Sequence, residues 1–236
     1  MSSTDTPIAT STLARQKADF TSEGAPPPGK VSGLTAVDAD VTEPSPDALT
    51  EPSKTRIQIA VIVGSLRRDS YNLQLAKAME KLAPPEFLFM HADIASLPLY
   101  NQDNDGHEEE SVTRFKAVIT SAQGLLFVTP EYNRSIPGVL KNAIDHGSRP
   151  YGASVWAGKP TGVIGISVGA TGTAMAQQHL RNILAYLDVP LMGQPEAFIH
   201  AREGFFTENG EIGKSSLKFM THWVSQFSDF VRNEYA

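Results

Sequence analysis

Cysteine is missing from all 236 residues, which excludes disulfides, thiolate metal sites and a cysteine nucleophile. Histidine is sparse: His91, His107, His146, His179, His200 and His222 are scattered, with no pair at metal-ligand spacing, so no metal centre is expected. No apolar run approaches the ~18 residues that a membrane span needs. No basic block exists either, and the net charge of −6 points away from nucleic acid while being too modest for an acidic tail protein. The opening stretch MSSTDTPIATSTLARQ lacks the apolar core of about 7–15 residues that a secretory signal requires, so a cytoplasmic protein is expected. Neither GxxxxGK[ST] nor GxGxxG occurs. The remaining chemistry must come from hydroxyls, amides, arginines or a borrowed cofactor.

Aromatics and apolar periodicity are lacking in one part of the chain only. Residues 1–54 hold seven of the sixteen prolines, eight acids against four bases, and one aromatic, Phe20. Such a segment cannot bury enough apolar surface to offset an ordering entropy of ~1–2 kcal/mol per residue. It is expected to be a disordered extension, with a single domain over 55–236.

From Ile57 onward strands and helices alternate. Apolar runs predict strands at 57–63, 86–92, 124–130 and 161–168, with a fifth within 189–199. Helical spacing predicts helices at 71–83, 111–121, 137–146, 174–187 and 214–233. Proline stands in the first turn of the third of these, where a missing N–H costs nothing. Strands that are nearly all apolar imply a parallel sheet covered on both faces. Five strands fit the flavodoxin-like order 2-1-3-4-5, an α/β doubly wound sheet whose ligands bind beyond the carboxyl ends of the strands.

Three loops at those ends carry unusual residues. After strand 1 comes GSLRRDSYN, residues 64–72. The following helix offers unpaired N–H groups and a positive dipole end. Ser65, Ser70 and Asn72 add neutral donors, and Arg67 or Arg68 adds a planar fork suited to phosphate oxygens. A terminal monophosphate suits this cup better than a triphosphate, although Ser70 capping a helix beside solvated arginines is the plainer reading. After strand 3, PEYNRSIPG presents Tyr132 and Asn133; the tyrosine suits a planar ring, or the stretch is a turn in which Ser135 caps the next helix. After strand 4, SVGATGT places Gly169 and Gly172 where main chain approaches a ligand closely, or where sterics alone demand glycine. A competing pattern is GISVG, residues 165–169, which fits the GxSxG nucleophile elbow with Ser167, Asp188 and His200 in the order of a hydrolase triad. It leaves the arginine loop unexplained. Five residues also intervene before a helix begins, where an elbow needs one at once.

The stretches GSLRRDSYN, FVTPEYNRSIPGVLKNAIDHGSRP and GKPTGVIGISVGATGTAMAQQHLR, in that order, resemble the NAD(P)H-dependent FMN reductases, a family that includes quinone, chromate and azo reductases. The similarity spans about 57–200 and extends to the last helix, but not to 1–54. It implies an FMN phosphate held by Ser65, Arg67, Ser70 and Asn72. It implies Pro130, Glu131, Tyr132 and Asn133 along the isoalloxazine, contacting it largely through main chain. Ser167, Gly169, Thr171 and Gly172 would close the pyrimidine side. NADH or NADPH would be co-substrate, and the electron acceptor a small molecule: quinone, chromate, azo compound, ferric chelate or flavin. No catalytic side chain is implied, because the cofactor carries the chemistry. A homodimer or homotetramer meeting near helix 136–146 is also implied. The runner-up is a non-enzymatic flavodoxin-type carrier, against which the modest net charge argues mildly.

Overall fold

The computed structural model describes residues 56–235; the extension expected to be disordered, 1–54, lies outside the described residues. Five strands, β1 (Ile57–Val63), β2 (Phe87–His91), β3 (Gly124–Val128), β4 (Thr161–Ser167) and β5 (Phe198–His200), form one sheet in the order β2-β1-β3-β4-β5. Every pairing is parallel. The helices are α1 (Tyr71–Glu80), α2 (Glu110–Ser121), α3 (Gly138–Gly147), α4 (Ala174–Tyr186) and α5 (Lys214–Tyr235). The expected flavodoxin-like architecture is what forms.

Period-two alternation divides the strand side chains between two cores. Ile59, Val61 and Val63 of β1 join Leu75 and Met79 of α1 and Trp223, Val224 and Phe227 of α5. Ala60 and Ile62 face the other way, onto Phe115 and Ile119 of α2, Leu140 and Ile144 of α3, and Leu180 and Leu184 of α4. Both faces are thus covered, which is why no polar alternation marks the central strands. Burying each such side chain contributes about 1.5–3 kcal/mol.

Several boundaries differ from expectation. Helix α1 stops at Glu80, three residues early, because Leu82 N–H turns back to Met79 O (3.0 Å) and Ala83 N–H to Glu80 O (3.3 Å) ahead of Pro84 and Pro85. Strand β3 ends at Val128, since Pro130 has no N–H for the ladder. Helix α3 starts at Gly138 with Pro137 as its N-cap. Ser135 caps nothing; its hydroxyl meets His179 instead. The fifth strand runs one residue past its expected window, to His200.

After β1 the chain crosses to β2 on one side of the sheet, and β3 lies on the other. The carboxyl ends of β1 and β3 therefore flank the switch-point crevice at which α/β sheets bind ligands. The loops 64–70, 129–137 and 168–173 all open there.

Candidate functional site

Loop 64–70 presents donors. Ser70 is the N-cap of α1, its Oγ accepting from Leu73 N–H at 3.3 Å, which leaves its own proton free to donate. The N–H groups of Ser65, Leu66, Arg68, Asp69, Ser70, Tyr71 and Asn72 have no acceptor among the described residues. Arg67 and Arg68 are exposed. Neither forms an ion pair among the described residues. Asn72 plays a part that its spacing did not reveal. Its buried amide donates to Ile166 O (2.9 Å) and accepts from Ile166 N–H (3.1 Å), clamping α1 to the end of β4. Its main-chain N–H and the second proton of Nδ2 are left for a ligand.

The loop after β3 is a tight turn. Tyr132 and Ser135 exchange main-chain bonds of 2.9 and 3.0 Å, and the two residues between them are left-handed, with φ of 52° at Asn133 and 64° at Arg134. That is a type I′ turn built without glycine, which costs roughly 1–2 kcal/mol at a residue such as arginine. Tyr132 is about half exposed on its rim. The Glu131 side chain is turned away into α4, where its Oε2 accepts from Met175 N–H (3.0 Å) and Ala176 N–H (3.1 Å). Helix α4 has no side-chain cap of its own, so Glu131 supplies one from another loop.

The loop after β4 is closed by Ser167, whose hydroxyl donates to Gly172 O. Gly172 has φ of 61°, and a Cβ there would lie 2.6 Å from the Phe198 carbonyl carbon and 2.8 Å from Ile199 N. Sterics against β5 therefore require this glycine. At Gly169 a Cβ would meet only Ser167 Oγ, at 3.6 Å, so that stretch of main chain is open on its outer side. The hydrolase reading fails on distance. Asp188 O accepts from Gly158 N–H (2.8 Å), ahead of the first residue of β4, whereas Ser167 is the last. At ~3.3 Å per residue the length of β4, about 20 Å, separates the supposed acid from the supposed nucleophile.

One cleft of about 140 Å³ is lined by Ser65, Arg67, Ser70, Asn72, Pro130, Glu131, Tyr132 and Ser167, joining loops from all three strand ends. Tyr71, Ile166 and Val168 complete its wall. Tyr71 and Val168 were not expected there; the clue available was their place beside Ser70 and Ser167. Asn133, Gly169, Thr171 and Gly172 lie outside the cleft lining, although they sit on the same loops. A larger cavity, about 480 Å³, lies between β5 and the start of α5, near Phe198, Arg202 and Phe219. It is away from the switch point and, among the described residues, has no run of open main-chain donors as long as that of loop 64–70.

Residues 57–204 match the family model described as NADPH-dependent FMN reductase. The chain belongs to that family. Among its relatives, a 2-hydroxy-1,4-benzoquinone reductase from a Burkholderia species is 53% identical over 178 residues, covering 75% of this chain and 97% of that protein. A quinone reductase from Pseudomonas putida is 44% identical, covering 74% and 94%. A solved flavoenzyme, an NAD(P)H:acceptor oxidoreductase from Paracoccus denitrificans, superposes with a TM-score of 0.73 at 41% identity, covering 75% and 98%. As an FMN reductase family member the chain is an oxidoreductase that uses FMN and NAD(P)H, and the cleft can be tested against that cofactor. The open N–H groups, the free Ser70 proton and the exposed Arg67 are an anion-binding set, and the α1 dipole reinforces it. The residues present fit a phosphate-bearing flavin.

No helix among the described residues is long and apolar enough to cross a membrane.

Proposed function

We propose that this FMN reductase family member reduces small quinones with NAD(P)H, holding FMN in the cleft at the ends of β1, β3 and β4. The observation that carries the reading is the run of amide donors from Ser65 to Asn72, open among the described residues except at Arg67, whose N–H meets Ser65 Oγ, beside a half-exposed tyrosine on the same cleft. At about 140 Å³ the cleft is smaller than the ~300–1,000 Å³ of typical ligand pockets, so it suits the phosphate-bearing end of the cofactor. The flat end would then lie in the open, toward Tyr132 and Val168, where a second flat molecule could reach it.

FMN bound there would supply two-electron chemistry, by which a hydride equivalent passes from NAD(P)H to an acceptor such as a quinone, which takes one further proton from solvent and leaves as hydroquinone. The chain's own groups bind and orient. Arg67, Ser70 and the α1 amides would hold the phosphate. Pro130 to Tyr132 would wall the ring with main chain and the Tyr132 face, with Asn133 in the turn just beyond. Ser167 fixes the 168–172 loop through Gly172 O. No side chain is assigned an acid–base role, because the open mouth admits water. Chromate, azo compounds, ferric chelates and free flavin are further acceptors within reach of such a mouth. The need for reduced nicotinamide agrees with the cytoplasmic setting expected. Exposed Leu99, Tyr151 and Tyr186, around α3 and α4, mark the surface on which the implied dimer or tetramer would form; a monomer by light scattering would exclude it.

The purified protein should be yellow, bleach under NAD(P)H without a protein partner, and regain colour when benzoquinone is added. A colourless protein that takes up no FMN on titration would sink this reading. Within it, Arg67→Ala removes one charge-assisted phosphate contact, worth ~1.5–3 kcal/mol, so FMN should bind about ten- to a hundredfold more weakly. Excess FMN should restore turnover. Retention of FMN through dialysis as good as wild type would place the phosphate elsewhere.

A further inference from the structure

The Tyr132–Ser135 turn is attached to α4 at both ends. At its start, the carboxylate of Glu131 receives Met175 and Ala176 N–H. At its close, Ser135 Oγ lies 2.8 Å from His179 Nδ1. Residues 175 and 179 are neighbours on one helix face, so a single strip of α4 grips both ends. Two left-handed residues without glycine persist only where the surroundings over-determine them. The grip supplies that constraint.

We propose that His179 is a positioning residue for the flavin site. Through Ser135 it holds the strained turn that sets Tyr132 at the cleft. This rests on the reading of the cleft as the FMN site. His179 is exposed on α4, so its replacement spares both cores.

The test uses the full chain, with apo-protein titrated with FMN by fluorescence quenching and NAD(P)H oxidation measured at saturating FMN. His179→Ala should weaken FMN binding or lower kcat by about two- to twelvefold, the worth of one neutral hydrogen bond. His179→Asn, whose amide reaches the place of Nδ1, should recover most of the loss, while His179→Gln, which mimics Nε2, should not. Ser135→Ala should match His179→Ala, and the double variant should be no worse than either alone. Wild-type behaviour of His179→Ala in a yellow protein would overturn this inference and leave the FMN reading intact. Additive losses in the double variant, or equal losses in Ala, Asn and Gln, would also overturn it. A wild type that binds no FMN would overturn both.

Discussion

Gly165→Ala is expected to lose stability and FMN binding together. Gly165 lies in β4 with its missing side chain aimed at two groups, the Thr129 carbonyl oxygen and Thr173 Oγ1. A Cβ would fall well inside contact distance of both. Thr129 is fully buried at the end of β3, tied by its N–H to Ile164 O at 3.0 Å. Thr173 is fully buried as well, and its Oγ1 accepts from Gln177 Nε2 at 2.9 Å. Neither can swing aside as the tip of a flexible chain would. Overpacking a core costs typically ~1–3 kcal/mol and occasionally more, and backbone on one side puts this case at the upper end, about 3 kcal/mol. The strain would be relieved by moving Thr129–Pro130, of which Pro130 lines the cleft, and the start of α4, to which the cleft residue Glu131 is hydrogen-bonded. Urea unfolding and FMN titration together measure it. Stability within about 0.5 kcal/mol of wild type, the ordinary scatter of a harmless substitution, would show that the contact is loose.

Asn72→Ala is expected to cost about 2–6 kcal/mol, because it leaves both the N–H and the C=O of Ile166 buried and unpaired, at ~1–3 kcal/mol for each group. The loss should also release the start of α1 from β4, and with it the amide cup. Weaker FMN binding should therefore accompany the lower unfolding midpoint. Asn72→Asp is the informative companion. Its carboxylate can accept from Ile166 N–H but cannot donate to Ile166 O, so it should recover little at neutral pH. If Asn72→Ala unfolds at the wild-type urea concentration, the clamp contributes nothing and Asn72 acts on the ligand alone.

Much of the fold was legible because its signals are local. The apolar runs IQIAVIV and GLLFV can only be strands buried on two faces, and the α5 spacing from Met220 to Val231 marks one buried stripe. The loops of the site were legible for the same reason: each is a departure from periodicity at a strand end. The partners inside those loops were not. Asn72 meets Ile166 across 94 positions, Glu131 meets Met175 across 44, and Ser135 meets His179 across 44. No spacing rule connects residues so far apart; only the folded sheet brings them together. That is how Asn72 read as a ligand donor while its amide serves the backbone, and how Ser135 read as a cap while it holds a histidine. Gly165 carried no signal either, since a glycine in a strand is an absence until the opposing carbonyl is known. Boundaries slipped where proline or a tightening turn ended an element, as at α1.

The helix N-termini at the crevice are not equivalent: the amides of α1 stand open, whereas those of α4 are stoppered by Glu131. A molecule with a doubly charged tail and a neutral flat head, bound as proposed, would have one way round to lie. The head-to-tail choice would be made by subtraction, because the α4 terminus already has a resident anion. A lone carboxylate, forty-odd residues from the helix it covers, would then set which end of the crevice takes the charge.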